Sequence, residues 1–362
     1  MSNVREWLLQ SASLAASDVH LVAGYPPTRR ENGELVPMSA GKLSSEEVER
    51  ALKSICTPSD YETFVRERNV DFAFTLTEST LDGRAGGNVC QRFRANFFFN
   101  EESPGACIRV IPSVIPDLES NHFPIDLCDK ITSFRNGLVI FSGVTGSGKT
   151  TSMAMVLERL AKQGGKRVVT IEDPVEFLFP TIGTSVITQR EVGRDVRCFA
   201  SGLKYALRQD PDIILVGEIR DLETAQMALS AAETGHLVLT TLHSRDAKGA
   251  ISRLVDLFPS NTQYEIFAML AAGLRAVVCQ HLLPNAVPGE RRELALEVLL
   301  RSQGVASGLR TGRIDNLDNA ILAGRKDGMV VLDESLGELL RQGRITESTA
   351  LQYASDIQLL GR

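Results

Sequence analysis

Eight consecutive residues, Gly143-Val144-Thr145-Gly146-Ser147-Gly148-Lys149-Thr150, restrict the possible folds of this chain more than any other stretch of it. They match the Walker A spacing G-x-x-x-x-G-K-[ST], in which glycines let backbone N–H groups turn inward around phosphate oxygens. The flanks agree. The apolar run Leu138–Phe141 before the loop predicts a strand, and Met153, Val156, Leu157 and Leu160 after it fall on one helical stripe. A strand that feeds a helix N-terminus through such a loop belongs to an α/β fold, and the helix end adds partial positive charge. Lys149 is then placed to bridge the β- and γ-phosphates, and the Thr150 hydroxyl to hold Mg²⁺. Gly143, Thr145, Gly146, Ser147, Gly148 and Thr151 complete the candidate contacts, so the sequence predicts a nucleoside triphosphate as ligand.

Three further apolar runs, Val168–Ile171, Ile213–Val216 and Leu237–Thr241, alternate with helical segments. Runs that are apolar on both faces suit a parallel sheet covered on each side, and ligands bind at the C-terminal ends of such strands. Glu172, Asp173 and Glu176 cluster after the first run and could align a water and supply metal-side charge; Glu172 and Glu176 are both open as the base. Glu218, just past the second, is expected to face Mg²⁺ through water. Asp212, before that strand, reads as a turn residue. His236 and His243 bracket the last strand; Gly235 reads as the end of the preceding helix, and His243 is expected near a γ-phosphate.

The first hundred or so residues read as a separate α+β domain. Helical periodicity runs over Val4–Leu14, followed by a strand Val19–Val22 and a turn-rich Gly24–Gly33 segment. A helix is expected over Ser44–Ser54, capped by Ser44 or Ser45, and strands over Val70–Phe74 and Arg92–Phe97, with a loop at Asp82–Gly87 between them. The Pro-containing stretch Ile111–Pro116 reads as a linker. Beyond the α/β region lie helical patterns such as Asp333–Leu340, and Thr346 is a plausible N-cap. These signals divide the chain into 1–115, an α/β domain over 116–295, and a helical C-terminal region over 296–362.

Composition narrows the partners. A formal net charge of −6 does not favour polyanions, so nucleic acid is not expected. The six cysteines are scattered without a C-x-x-C pair, and no zinc site is expected. No run approaches a membrane span, and Arg5 and Glu6 interrupt the N-terminal apolar pattern; a cytoplasmic chain that meets the membrane only through partners is expected.

The Walker A loop, the acidic box Thr170–Phe177, the segment Gly217-Glu218-Ile219-Arg220-Asp221 and the box Thr234–His243 occur in that order, and the set resembles the secretion ATPase superfamily of type II and type IV pilus systems. Within it, the chain looks most like the PilT retraction ATPases. Ala16–Leu21 and Phe93–Asn96 also match that family's N-terminal domain. The resemblance implies a PAS-like N-terminal domain, a RecA-like ATPase domain, ATP with Mg²⁺, a homohexameric ring, and an inner-membrane platform protein of the PilC kind as partner. It also implies Glu176 as catalytic base, Glu218 as Walker B carboxylate, His243 as γ-phosphate sensor with His236 in the same box, and Arg92, Arg94 and Arg109 as arginine fingers. PilT proteins carry an Ala-Ile-Arg-Asn-Leu-Ile-Arg-Glu motif where this chain reads Val305-Ala306-Ser307-Gly308-Leu309-Arg310-Thr311-Gly312. That departure keeps open an accessory, PilU-like role beside a related pilus ATPase.

Overall fold

In the computed structural model residues 4–360 are described, apart from 15, 32, 79–88 and 113. The Asp82–Gly87 segment expected as a loop lies outside the described residues. The chain forms two compact units: Met1–Ile115 with Asp173–Leu178, and Pro116–Glu172 with Phe179–Arg362.

The first unit contains helices α1 (Val4–Ser13), α2 (Ser45–Lys53) and α3 (Pro58–Glu67). Its strands are β1 (Asp18–Val22), β2 (Thr28–Glu31), β3 (Glu34–Pro37), β4 (Asn69–Glu78), β5 (Val89–Asn100) and β6 (Ser103–Ile111). They form one sheet in the order β3-β2-β1-β6-β5-β4, antiparallel throughout. Strand side chains alternate between faces. Phe93, Ala95 and Phe97 on β5 and Ala106 and Ile108 on β6 therefore point into the core with Leu8, Val48, Leu52 and Phe64, and Arg92 and Arg94 lie on the other face. Ser44 caps α2 in a capping box: its hydroxyl accepts from Glu47 N at 3.2 Å, and the Glu47 carboxylate accepts from Ser44 N at 2.8 Å. Thr57 and Asp60 build the same device at the start of α3, with Pro58 at the first helical position; the sequence reading did not pick out this helix.

Phe64 anchors α3 to the sheet. Its ring is fully buried, stacks on Phe99 at 4.4 Å and meets Phe97 edge-on at 5.7 Å. Phe64→Ala is expected to destabilise this unit by about 3–5 kcal/mol, read as a lowered denaturation midpoint. A change below about 1 kcal/mol would mean that the site collapses around the lost ring.

The second unit holds α4 (Ile125–Thr132), β7 (Gly137–Ser142), α5 (Lys149–Lys162), β8 (Arg167–Glu172), β9 (Val186–Glu191), α6 (Phe199–Ala206), β10 (Ile213–Val216) and α7 (Leu222–Glu233). It continues through β11 (Leu237–Leu242), α8 (Ala247–Val255), α9 (Gln263–Gly273), β12 (Leu274–Leu283), β13 (Glu293–Leu300), α10 (Gln303–Arg310), α11 (Leu317–Ala323), α12 (Leu332–Arg341) and α13 (Glu347–Tyr353). The sheet order is β13-β12-β7-β11-β10-β8-β9, parallel except for β13. The four strands expected from the sequence, β7, β8, β10 and β11, are neighbours at its centre. Their side chains are buried on both faces except at Arg167, at the start of β8.

The division expected at 295/296 is corrected by the structure, since it cuts β13 in two. That strand pairs continuously with β12 from Ala276↔Leu300 to Leu283↔Glu293. The C-terminal helices share a core with these strands: Leu283 and Ala295 pack in one cluster with Leu332, Leu336, Leu339, Ile345 and Ala350.

Candidate functional site

The phosphate loop is built by close approach. Gly143 leaves β7 at φ +143, and a Cβ there would come within 2.5 Å of both Gln280 O and Ser147 Oγ. Gly146 and Gly148 are also at positive φ, +79 and +90, where glycine carries no side-chain penalty. Gly148 is the N-cap of α5, and no side chain caps that helix end. An uncapped N-terminus presents N–H donors and partial positive charge to an anion. Ser147 Oγ is buried without a hydrogen-bond partner, as fits a donor waiting for a ligand oxygen. Lys149 is buried, and its ammonium donates to Gly143 O at 2.8 Å and Val144 O at 3.1 Å. Thr150 and Thr151 follow it, half-buried, in the first turn of α5; Thr145 is exposed on the loop.

Parallel pairing brings other residues to the same end of the sheet. Ser142 at the end of β7 is level with Leu242 on β11, and Val216 on β10 with Thr240. Glu218 and His243 leave these strands side by side, with His243 Nε2 3.4 Å from Glu218 Oε2. The buried Glu218 carboxylate also pairs with Arg220 at 2.5 Å, a partner the sequence reading had not singled out. Burial holds the His243 pKa below its ordinary value, the Lys149 charge adds to this, and Glu218 opposes it. His243 is thus held neutral near neutral pH, beside both a lysine and a carboxylate. The structure brings Lys149, Glu218 and His243 together.

The oxygen donors present suit a hard cation such as Mg²⁺, which favours carboxylate, hydroxyl and water oxygens. Thr150 offers a hydroxyl, and the longer Glu218 side chain suits contact through water. Among the described residues, no group of three or more His, Cys, Asp or Glu could hold a metal by itself.

The acidic box is split between the two units. Glu172 closes β8 in the second unit, where its Oε1 accepts from Thr170 Oγ1 at 2.6 Å and Gln189 Nε2 at 3.3 Å. Segment Asp173–Leu178 belongs to the first unit. There Arg92 Nε donates to Val175 O at 2.7 Å, and Arg94 Nη1 is 3.7 Å from Glu176 Oε1. Arg94 stands opposite Arg109 in the β5–β6 ladder, and Arg109 pairs with Asp18 at 3.0 Å. Arg92, Arg94 and Arg109 thus share one sheet face, with Glu176 against Arg94.

His236 is not brought to the phosphate loop. It precedes β11, and Leu237 is level with Gly137 at the start of β7, so His236 lies at the opposite end of the sheet from Gly143. Six strand residues place it roughly 20 Å from its own phosphate loop. It lines a polar cavity of about 670 Å³ with Thr132, Arg135, Lys166 and Asp212, and its Nδ1 lies 3.1 Å from Ala231 O. Gly235 takes φ +111 just after α7. Asp212 bridges two strand starts, accepting from Arg167 N at 2.7 Å while its own N–H donates to Arg167 O at 2.9 Å.

Among the described residues no helix is long and apolar enough to cross a membrane. Residues 109–356 match the family described as type II/IV secretion system protein. The type IV pilus ATPase PilU of Pseudomonas aeruginosa is 34% identical over 347 residues, covering 95% of this chain and 87% of the relative. The type IV pilus retraction ATPase PilT of the same organism is 36% identical over 352 residues, covering 97% and 98%. The crystal structure of the pilus retraction motor PilT with bound ADP superposes with a TM-score of 0.86 at 34% identity, covering 99% of this chain and 98% of that one.

Proposed function

This chain belongs to the type II/IV secretion system protein family, and from that premise we propose that it is an ATP-hydrolysing motor of a type IV pilus. The observation that carries this reading is the meeting of Lys149, Glu218 and His243 at the C-terminal strand ends, beside an uncapped helix N-terminus. Gly143 to Thr151 cradle the triphosphate, with Lys149 turning from the loop carbonyls to the β- and γ-phosphates. Thr150 and Glu218 would hold Mg²⁺, which would neutralise charge on the phosphate oxygens. Glu176 orients the attacking water, and neutral His243 reports the γ-phosphate to the loop that follows it. The guanidinium groups of Arg92, Arg94 and Arg109 spread positive charge over oxygens that share negative charge during transfer. The work is retraction by a homohexamer acting on an inner-membrane platform protein, with the chain itself in the cytoplasm.

A second reading has its own support. PilU is as similar as PilT to this chain within two percentage points of identity. Helix α10 and the two residues after it also carry Val305–Gly312 in place of the retraction motif. On that reading the chain binds nucleotide and regulates a partner ATPase. Phosphate release by the purified protein, with its mass in solution measured with and without ATP and Mg²⁺, separates the two. Turnover by a particle of about six chains supports the motor, whereas ATP binding with negligible turnover until a related ATPase is added supports the accessory role.

A further inference from the structure

The loop after β11 is tied down almost residue by residue. His243 O accepts from Arg253 Nη1 at 2.9 Å, and Ser244 N donates to Ser142 Oγ at 3.0 Å. Arg245 O is 2.8 Å from His281 Nε2, and Ala247 N donates to Glu297 Oε1 at 2.6 Å. Three strands therefore grip this loop: β7 through Ser142, β12 through His281 and β13 through Glu297. The last tie differs in kind. Ala247 is the first residue of α8, so Glu297 supplies a carboxylate to an otherwise orphaned helix donor. A charged acceptor there is stronger than a neutral one and is favoured by the helix end.

We infer that Glu297 is a positioning residue, whose carboxylate fixes the first turn of α8 and through it the loop that carries His243. The inference deepens the ATPase reading above and rests on it. Its diagnostic is pH. Burial first, and then Asp246, Asp318 and Asp333, push the Glu297 carboxyl up to about 7, against the hydrogen bond from Ala247. Cys279, opposite in the β12–β13 register, is raised well above its ordinary value, and His281 is lowered, both by burial. Lys248 on α8 is paired with Asp315 at 2.6 Å and keeps its charge. Near neutrality Glu297 changes state, from an acid that bonds Ala247 weakly to a carboxylate that bonds it strongly.

The experiment compares ATP turnover by the full chain and by Glu297→Gln from pH 6 to pH 8.5. Glutamine keeps the shape and an acceptor oxygen but cannot ionise. The ratio of variant to wild-type kcat is expected near one at pH 6 and to fall about fivefold by pH 8.5, with a midpoint near 7 and KM for ATP within twofold. Using the ratio cancels the ionisation of ATP itself. A ratio that does not vary with pH, whatever its size, overturns the inference. A second measurement needs neither turnover nor the variant. The His243 ring resonances of the wild-type chain should show an inflection near pH 7 besides the histidine's own, and an amide shift at Ala247 should share it. Absence of that shared inflection overturns the inference, whereas a wild type that shows it but never hydrolyses ATP leaves the inference standing and removes the ATPase reading.

Discussion

Lys149→Ala is expected to lower ATP turnover by about 10²–10³-fold or more, the loss typical when one preorganised charge is removed from a reacting oxygen. The side chain is buried and its ammonium already lies against the loop carbonyls of Gly143 and Val144. Its removal takes away a positive charge at the phosphate loop, and also one of the three charges that act on His243, beside Glu218 and Arg253. Stability should change little by comparison, because a buried ammonium is costly to desolvate and its bonds to carbonyls only partly offset that. Phosphate release and a melting curve on the same preparation check both halves. Turnover within a few-fold of wild type would show that the loop cradles phosphate through its backbone alone.

The second large effect concerns the two glutamates of the acidic box. Glu176→Gln is expected to reduce turnover by about 10²–10⁴-fold while ATP remains bound, as when a general base is lost. Glu172→Gln should behave differently. Glu172 is buried at the end of β8 and already occupied by Thr170 and Gln189, so its loss should appear mainly as lowered stability, by about 1–3 kcal/mol. Single-turnover hydrolysis with nucleotide retention measured in parallel distinguishes the two. Rapid cleavage by Glu176→Gln would remove Glu176 from the role of base.

The contrast between these glutamates also marks how far the sequence could be read. Four residues apart and both acidic, Glu172 and Glu176 are equivalent until hydrogen-bond partners are known. The same holds for the histidines. His236 and His243 bracket one strand symmetrically in sequence, yet strand polarity puts one beside the phosphate loop and the other at the far end of the sheet. The central strands β7, β8, β10 and β11 were legible because burial on both faces demands unbroken apolar runs. Strand β9 is only partly buried and reads as mixed. Helix α9 passes directly into β12 at Gly273–Leu274, so helix and strand merge into one apolar stretch with no turn signal between them. Strand β13 was cut at 295/296 because nothing in Glu293–Leu300 announces that its partner lies ten residues upstream. In the first unit, Ser44 with Glu47 marked α2 through its cap, and the equivalent Thr57 with Asp60 was there to be read.

Segment Asp173–Leu178 leaves the second unit after β8, packs with the first, and returns before β9. The polypeptide therefore passes between the units three times, and no single cut yields two self-contained pieces. A fragment beginning at Pro116 would carry the phosphate loop, Glu218 and His243 intact, but its Val175 carbonyl would lack Arg92 and its Glu176 would lack Arg94. Such a truncation would be a nucleotide binder with its candidate base unmoored. Modular excision, the usual route to a minimal enzyme, is closed here by the path of the backbone.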